Sequence, residues 1–399
     1  MAAPDGQRQV ITLGLLRLRG DRPVTNRCRD GQRCSGLARM LLLLIVLAMT
    51  GCASMGPGTV TKDRFDYTAA VGDSWKTQML LNLVKIRYGD APVFLDVGQI
   101  VSGYSYQRQI AGTATFNEFF KNPMPHAITS ILGLGASASF NDSPTLTYTP
   151  MTGERFARSM MMPIPLSSIM NVLQAGFPVD LVFRLTVQSI NGVDNRRVAV
   201  STKGYVRPAN PEFYALLDEL GRIQNSGDIG VRATTGAQGE ALSLVFRPNL
   251  AAAVQQARRN VANMLGLDAT AKEFRIVPGA VPSDDKEIAL LSRSMFEVLL
   301  DLSSRIDVPR THVTERQVGP TAEGDLGPNG TIPPLIQVSA SADRPSDPFV
   351  TVRYNGHWFS IDARDIPSKG VFSFLMFVFT FVETQGKEAA PILTIPTTR

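Results

Sequence analysis

The chain has 399 residues, with 40 basic and 35 acidic side chains and a formal net charge of +5. The basic excess belongs entirely to residues 1–51, which hold eight arginines and three aspartates, so residues 52–399 carry 32 residues of each sign. Such a balance does not provide the clustered positive surface that binding to a phosphate backbone requires, and we expect no nucleic-acid partner.

An apolar run near the N-terminus indicates a cleaved targeting segment. Residues 40–49 are all apolar, which is too short for a membrane-spanning helix of about 20 residues but typical of the centre of a signal peptide. Arg33 and Arg39 precede the run, and the sequence MTGC, ending at Cys52, follows it. The alternative is a buried strand or helix that ends by chance in Gly-Cys.

The arrangement over residues 33–54 resembles the lipobox of bacterial lipoproteins. The resemblance implies that the sulfur of Cys52 receives a diacylglycerol, that the preceding bond is cleaved, and that the new amino terminus is acylated. Gly51 suits the cleavage position, whereas Met49 departs from the usual leucine. The residue after the cysteine is Ala53 and not an aspartate, and in such lipoproteins this implies an outer-membrane destination facing the periplasm.

Cysteine usage agrees with this interpretation. Residues 1–51 are predicted to be a signal peptide and leader outside the fold, and they contain Cys28 and Cys34. Cys52 is then the single cysteine of the mature chain. We expect no intrachain disulfide, thiol nucleophile or cysteine-based metal site.

The remaining residues, roughly 350 of them, are enough for a large core and favour two domains. Helices and mostly antiparallel strands interleave irregularly, which predicts an α+β fold. Outside residues 33–54, no motif links the chain to a characterised family. The predicted organisation is a tether over 52–67, an α+β body over 68–307 with a Gly/Ser-rich β-hairpin insertion at about 98–148, a linker over 308–334, and a C-terminal hairpin–helix–strand module over 335–399.

Several elements of the body have clear signals. The first predicted helix, over 68–88, has apolar residues at spacings of three and four, with Asp66 as its N-cap. Residues 180–190 are predicted to form a strand, and Ser283 to cap a long helix that runs to about residue 306. Further helices are predicted over 166–177, 211–223, 250–265 and 369–383, and further strands over 145–150, 241–248, 273–278 and 391–396.

Residues 349–362, FVTVRYNGHWFSID, carry the clearest local signal. Asn355-Gly356 is a typical two-residue hairpin turn, because both residues tolerate positive φ. The turn predicts that Tyr354 faces His357, Val352 faces Phe359, Val350 faces Ile361 and Arg353 faces Trp358.

A period-two pattern marks the predicted insertion. Residues 132–140 read LGLGASASF, in which apolar residues alternate with Gly and Ser, and residues 104–116 alternate similarly, with Arg108 as an exception. Two such strands of about ten residues are typical of membrane pores, where a ring of chains satisfies the open strand edges. The alternatives are a water-exposed hairpin packed on one face and a flexible insertion.

Two catalytic motifs match only in part. GLGASA at 133–138 fits GxGxxA, but the following residues cannot make the helix that a dinucleotide site requires. SDDK at 283–286 fits the SxxK motif of penicillin-binding enzymes, but the sequence lacks their downstream elements, and Ser283 is better explained as an N-cap. We therefore predict no catalytic residue and no cofactor.

The histidines and carboxylates give no metal signature. His126, His312 and His357 do not have the spacing of a zinc site, so no metal ligand is predicted. Acidic pairs at 284–285 and 362–365 lie at capping or turn positions. A glycosidase pair stays open, because its carboxylates need not be close in sequence.

Together these features favour a lipid-anchored cell-envelope protein that binds or scaffolds an envelope partner, or itself, without catalytic activity. One alternative is a subunit of an oligomeric outer-membrane pore or export channel that uses the hairpin at 100–142. A second alternative is a hydrolase of envelope polymers, which no motif favours. The predicted site residue is the lipidated Cys52.

We expect the processed protein to begin at Cys52 and to carry the added mass of a diacylglycerol and an acyl group, measured by mass spectrometry of its N-terminal peptide. Cys52→Ser should abolish both processing and the added mass, whereas Cys34→Ser, in the predicted leader, should change neither. A bare thiol at position 52, or an intact leader, would contradict the lipoprotein interpretation.

Overall fold

The computed structural model describes residues 57–101, 104–115, 131–142, 145–199, 205–236 and 239–383, and these form an α+β fold with mostly antiparallel sheets. The described residues divide into two compact units. The first comprises the described residues up to Tyr67 together with Asp96–Thr149, and the second comprises Thr68–Leu95 and the described residues from Pro150 onward. Cys52, His126 and the predicted strand 391–396 lie outside the described residues.

Local capping signals explain several helix boundaries. The side chain of Asn210 accepts a hydrogen bond from the Glu212 N–H (3.0 Å), and Pro211 occupies the first helical turn, as the sequence predicts.

In the part of the chain that the structure describes, no helix combines the length and hydrophobicity needed to span a bilayer. The helices are α1 (Pro57–Arg87), α2 (Gly153–Phe156), α3 (Leu166–Gln174), α4 (Val179–Thr186), α5 (Pro211–Ser226), α6 (Ala252–Leu265), α7 (Met295–Ser304), α8 (Arg310–Thr314) and α9 (Ile366–Glu383), with a π-helical turn at Ala157–Met161.

The strands form several small sheets and one larger sheet. Their bounds are β1 (Leu95–Val101), β2 (Tyr104–Thr115), β3 (Ile131–Asp142), β4 (Thr145–Pro150), β5 (Val187–Ile190), β6 (Val193–Asp194), β7 (Arg197–Ala199), β8 (Tyr205–Arg207), β9 (Ile229–Gly236), β10 (Gly239–Phe246), β11 (Glu273–Pro278), β12 (Glu287–Ser292), β13 (Leu326–Gly327), β14 (Gly330–Thr331), β15 (Ser339–Ser341), β16 (Pro348–Tyr354) and β17 (His357–Asp362). Two-stranded sheets pair β1 with β4, β2 with β3, β7 with β8 and β13 with β14.

The larger sheet organises the core of the second unit. Its order is β6-β5-β12-β11-β10-β9, antiparallel except for the parallel pair β11 and β12. Helices α3, α4 and α5 contact this sheet, and α6 packs against α5. Phe274 and Ile276 alternate with exposed neighbours along β11, whereas β12 is buried from Glu287 to Leu290, so the centre of the sheet is covered.

A three-stranded sheet, β15-β17-β16, contains the hairpin that the sequence predicts. Asn355 (φ 43°) and Gly356 (φ 81°) form the turn, with the positive φ that such a turn requires. The predicted register is confirmed: Tyr354 pairs with His357, Val352 with Phe359, Val350 with Ile361 and Arg353 with Trp358.

Helix α1 is longer than the sequence predicts. It begins at Pro57, a favoured first-turn residue, and passes through Asp66, which is therefore not its N-cap. Trp75, four residues before the buried Met79, is itself 36% exposed. Asn82 is buried and exchanges two hydrogen bonds with the backbone of Val93 (2.8 and 2.9 Å), which fixes the turn after the helix. The buried apolar face consists of Met79, Leu80, Leu83 and Val84.

The prediction of a strand over 180–190 is wrong for most of this segment. Helix α4 occupies its first part, and only β5 is extended. Val182, Phe183 and Thr186 are buried at spacings of three and four, while Asp180 is exposed, which is a helical pattern. Short apolar runs with β-branched residues do not separate helix from strand by periodicity, and burial of this face against α5 selects the helix.

The long helix predicted from Ser283 is also wrong. Strand β12 occupies its first half, and α7 begins only at Met295. Ser294 is the real N-cap: its hydroxyl accepts from the Glu297 N–H (3.2 Å), and the Glu297 carboxylate accepts from the Ser294 N–H (2.8 Å). Ser283 instead donates its backbone N–H to the carboxylate of Glu287 (2.7 Å).

Residues 308–334, predicted to be a linker, contain α8, β13 and β14. His312 and Asp325 of this segment are buried, at 6% and 2% exposure. The segment and the described residues after it belong to the same compact unit. Its prolines and glycines therefore set turns within a packed region.

We expect Ser294→Ala to lower the free energy of unfolding by about 1 kcal/mol, because it removes one half of the capping box. Ser283→Ala is the matched control and should change it by less than about 0.5 kcal/mol, since no helix starts there. Urea unfolding of both variants measures the difference. Equal losses in the two variants would contradict the assignment of the helix start.

Candidate functional site

Strands β2 and β3 form a two-stranded ribbon, called the ribbon below, and pair with no other described strand. Each strand has 12 residues, and the antiparallel register runs without a bulge from Tyr104 opposite Asp142 to Thr115 opposite Ile131. The register places the apolar series of one strand opposite that of the other. Examples are Tyr106 with Phe140, Ile110 with Ala136, Gly112 with Leu134 and Ala114 with Leu132.

The GLGASA motif at 133–138 lies within β3. A dinucleotide fingerprint requires these glycines to form a turn that opens a helix, and here the strand continues through all six positions to Asp142. The next described element is another strand, β4. These glycines and small residues therefore belong to the alternation of the ribbon.

The second unit contains an apolar cavity of about 590 Å³ between helices α3 to α6 and the larger sheet. Aliphatic and aromatic side chains from β5 and β9 to β12 form one wall, and side chains such as Met170, Phe183 and Ala262 form the other. Arg258 is the one charged residue among those that line it. The lining thus favours an apolar ligand and provides no carboxylate pair for glycoside hydrolysis.

The apolar cavity is partly open to solvent and has the size of a binding site. The volume lies within the range of roughly 300–1,000 Å³ that is typical of small-molecule sites.

The mouth of the apolar cavity lies beside the loop between α3 and α4, where its lining residues Gln174, Asn225 and Gly230 are exposed. Gln174 donates from its side chain to the carbonyl of Val231 (2.9 Å), which joins α3 to β9. Gln224 donates to the carbonyl of Phe177 (2.8 Å) and accepts from the N–H of Val179 (2.8 Å). These bonds hold the loop and engage the side-chain amides that would otherwise face the opening.

Arg258 lies on α6 at the wall of the apolar cavity. Its guanidinium stacks over the ring of Phe246, 4.9 Å from the centroid, and donates to the carbonyls of Ala269 (3.1 Å) and Ala271. The Nε of Arg258 is buried and has no hydrogen-bond partner among the described residues. Because it is buried, this nitrogen is not accessible from the cavity, and Arg258 contributes its positive charge to the wall.

A second, much smaller cavity of about 30 Å³ contains both Asp301 and Asp325. Asp301 pairs with Arg196 (3.0 Å) and Arg293 (3.1 Å), and Asp325 pairs with Arg196 (3.3 Å) and Arg305 (3.1 Å). The volume is close to that of one water, and both carboxylates are neutralised. This cluster therefore does not supply the pair of carboxylates that a hydrolase would use.

Tyr214 completes this ionic cluster. Its hydroxyl donates to Asp325 (2.8 Å), and burial, followed by the negative charge of Asp325, raises the pKa of Tyr214 well above its ordinary value. Burial also lowers the pKa of Arg305, and the nearby positive charge of Arg196 acts in the same direction. Sequence spacing gave no signal for the cluster, because its members lie far apart in the chain.

The structure brings together two histidines that the sequence treats as unrelated. The rings of His312 and His357 meet edge to face, with 4.7 Å between centroids. Tyr88 forms a hydrogen bond through its hydroxyl with Nδ1 of His312 (2.7 Å), and Tyr354 bonds to Asp90 beside it. Among the described residues, no group of three or more His, Cys, Asp or Glu residues could hold a metal ion.

Burial favours the neutral form of His312. It lowers the pKa of His312, and the neighbouring His357 lowers it further, while Glu315 acts in the opposite direction. Burial also raises the pKa of Tyr88, so its hydroxyl stays protonated beside Nδ1 of His312. The folded state therefore favours the uncharged form of His312.

The acidic pairs noted in the sequence lie at turns or helix starts. Asp284 accepts from the N–H of Lys286 (2.8 Å) and from Arg275 (2.7 Å), and Asp362 accepts from the N–H of Arg364 (2.8 Å). Asp365 accepts from the N–H of Ser368 (3.0 Å) at the start of α9. Their positions match the predicted capping and turn roles.

Comparisons of this chain with protein-family models, with curated proteins and with solved structures find no match.

We expect acid to destabilise the second unit through His312. Because its folded pKa lies below the unfolded value near 6.5, the unfolded chain binds more protons, and stability is lost as the pH falls through about 6.5. His312→Gln should reduce this loss in urea unfolding measured from pH 8 to pH 5. His357→Gln, which leaves the burial of His312 in place, should reduce it less. A pH dependence unchanged by His312→Gln would contradict the assignment.

Proposed function

We propose that this chain is a lipid-anchored cell-envelope protein that acts in binding and assembly, with the ribbon as its assembly element. The observation that carries the proposal is the register of β2 and β3, which runs without a bulge over 12 pairs and places the alternating apolar positions of the two strands opposite each other, with Arg108 as the exception. A single residue of slip would move every apolar side chain of one strand to the other face, so a bulge-free register over this length favours a ribbon with one apolar face.

The pairing of the ribbon supports association with a second molecule. A two-stranded sheet is marginally stable in water by itself, and β2 and β3 pair with no third strand in the part of the chain that the structure describes. Each strand therefore has one edge that can accept another strand. A partner that adds strands, or a surface that covers the apolar face, would stabilise the ribbon.

The proposed anchor fits this role. Acyl chains on Cys52 would hold the protein at the membrane, because two or more chains give stable anchoring where one is marginal. We propose the periplasmic face of the outer membrane as the location, on the grounds of Ala53 after the cysteine. Anchoring in a plane raises the local concentration of neighbouring copies and favours their association.

A second candidate function is a subunit of an oligomeric outer-membrane pore or export channel. The length of the ribbon favours it: a tilted strand of about 9–11 residues crosses the hydrocarbon layer, and β2 and β3 have 12 residues each. Strand edges are not tolerated in lipid, so hairpins from several chains would have to close a ring. The two candidates share the ribbon and differ in whether it enters the bilayer.

We expect the double change Leu134→Asp with Ala136→Asp to reduce oligomer formation more than tenfold, because it puts two charges into the apolar series. Crosslinking and light scattering of the detergent-solubilised protein measure the assembly. Dye release from liposomes separates the candidates: loss of release supports the pore, whereas oligomers without any release support assembly alone.

The matched control is Ser137→Asp with Ser139→Asp, two positions of the other parity in the same strand. This pair should leave assembly unchanged. A wild-type protein that is monomeric and purifies without a partner, or equal effects of the two double changes, would overturn the role of the ribbon.

A further inference from the structure

We propose that the apolar cavity of the second unit binds the hydrocarbon chain of a single-chain amphiphile whose anionic head is held by Arg258. The proposal is independent of the ribbon, because every residue that lines the apolar cavity belongs to the second unit. Three properties of the cavity identify the ligand class: its chemistry, its volume and its single charge.

The lining excludes a polar ligand. A polar molecule that enters an apolar site loses its hydrogen bonds to water and must replace them. The amide groups of Gln174 and Gln224 already bond to backbone groups of the wall, and Asn225 lies at the exposed mouth. The interior is formed by side chains such as Leu220, Val261 and Ile276, which offer dispersion contacts alone.

The volume fits a flexible hydrocarbon chain. The cavity of about 590 Å³ is bounded by helices on one side and by five strands on the other, and branched aliphatic residues predominate in both walls. Each CH₂ group removed from water there contributes favourably, so affinity should increase with chain length until the space is filled.

Arg258 indicates the charge of the head group that the site would bind. The residue is half-buried on α6, and its stacking on Phe246 holds the guanidinium against the cavity wall. A carboxylate is the natural partner for this positive charge, because a hydrogen bond between two charged groups is stronger than one between neutral groups. We therefore infer a fatty-acid carboxylate as the head.

The test uses the full chain carrying Cys52→Ser, so that no acyl group attached at that position competes for the cavity. Binding of cis-parinaric acid is followed by fluorescence, and dodecanoate and dodecanol are compared as displacing ligands. We expect both to displace the probe. Failure of both ligands to displace it, or no binding of the probe, would overturn the proposal.

Cavity filling tests the location. Ala262 lines the cavity at 2% exposure, so Ala262→Phe should abolish binding of the probe without lowering the thermal midpoint of unfolding. Ala253→Phe, at an exposed position of the same helix, is the matched control and should bind as the wild type does. If Ala262→Phe fails to fold, Ala262→Leu tests the same point with a smaller side chain. Wild-type affinity in the folded Ala262 variant would overturn the location.

Charge removal tests the head group. Arg258→Gln should weaken the affinity for dodecanoate about tenfold and change that for dodecanol less than about twofold, since the alcohol has no charge. Arg259→Gln, at the exposed neighbouring residue that bonds to Gln256, should change neither. An equal loss for acid and alcohol, or no loss for the acid, would overturn the role of Arg258.

Discussion

The buried arginine–carboxylate cluster is the constraint on which the second unit depends. Arg293 is 1% exposed, bonds to the carbonyls of Arg184 and Arg196, and pairs with Asp301. A buried charge is tolerated only when it is paired and hydrogen-bonded, and removal of one partner from such a pair typically costs about 3–5 kcal/mol. The cluster joins the residues between β6 and β7, the end of β12, helix α7 and the segment before β13, so each of these must be placed correctly for the charges to be satisfied.

The second unit contains two chemically different regions, the ionic cluster and the apolar cavity. Asp325, with Tyr214 and the two arginines that pair with it, belongs to a dense polar cluster in which the carboxylates and guanidiniums satisfy each other. The apolar cavity lies under α3 to α6 and has Arg258 as its one charged lining residue. The first region specifies how the segments meet, and the second provides the proposed site for a hydrocarbon chain. Hydrogen bonds support the walls of that site, as those of Gln224 hold the loop before α4.

The ribbon differs from the ionic cluster, because its regular pairing comes from two strands that are close in the sequence and no third described strand joins them. Its register is continuous over 12 pairs, and its strands pair with each other alone among those described. Regular alternation without a third strand stabilises little by itself. The proposed function follows from this imbalance: a long, regular pair of strands has no third strand in its sheet among the described residues.

The sequence by itself determined the α+β class and the elements whose signals act within a few residues. Asn355-Gly356 requires positive φ and so sets the register of β16 and β17, Pro211 after Asn210 starts α5, and the alternation at 132–140 predicts the strand that β3 forms. The tertiary structure alone decided the rest. Helix α4 and strand β12 depend on which neighbours bury them, and a short apolar run is compatible with either conformation. Contacts between residues of separate elements also depend on the tertiary structure: His312 meets His357, Arg293 pairs with Asp301, and side chains from several elements line the apolar cavity. Local propensity and spacing do not encode such contacts, because burial is a property of the assembled fold.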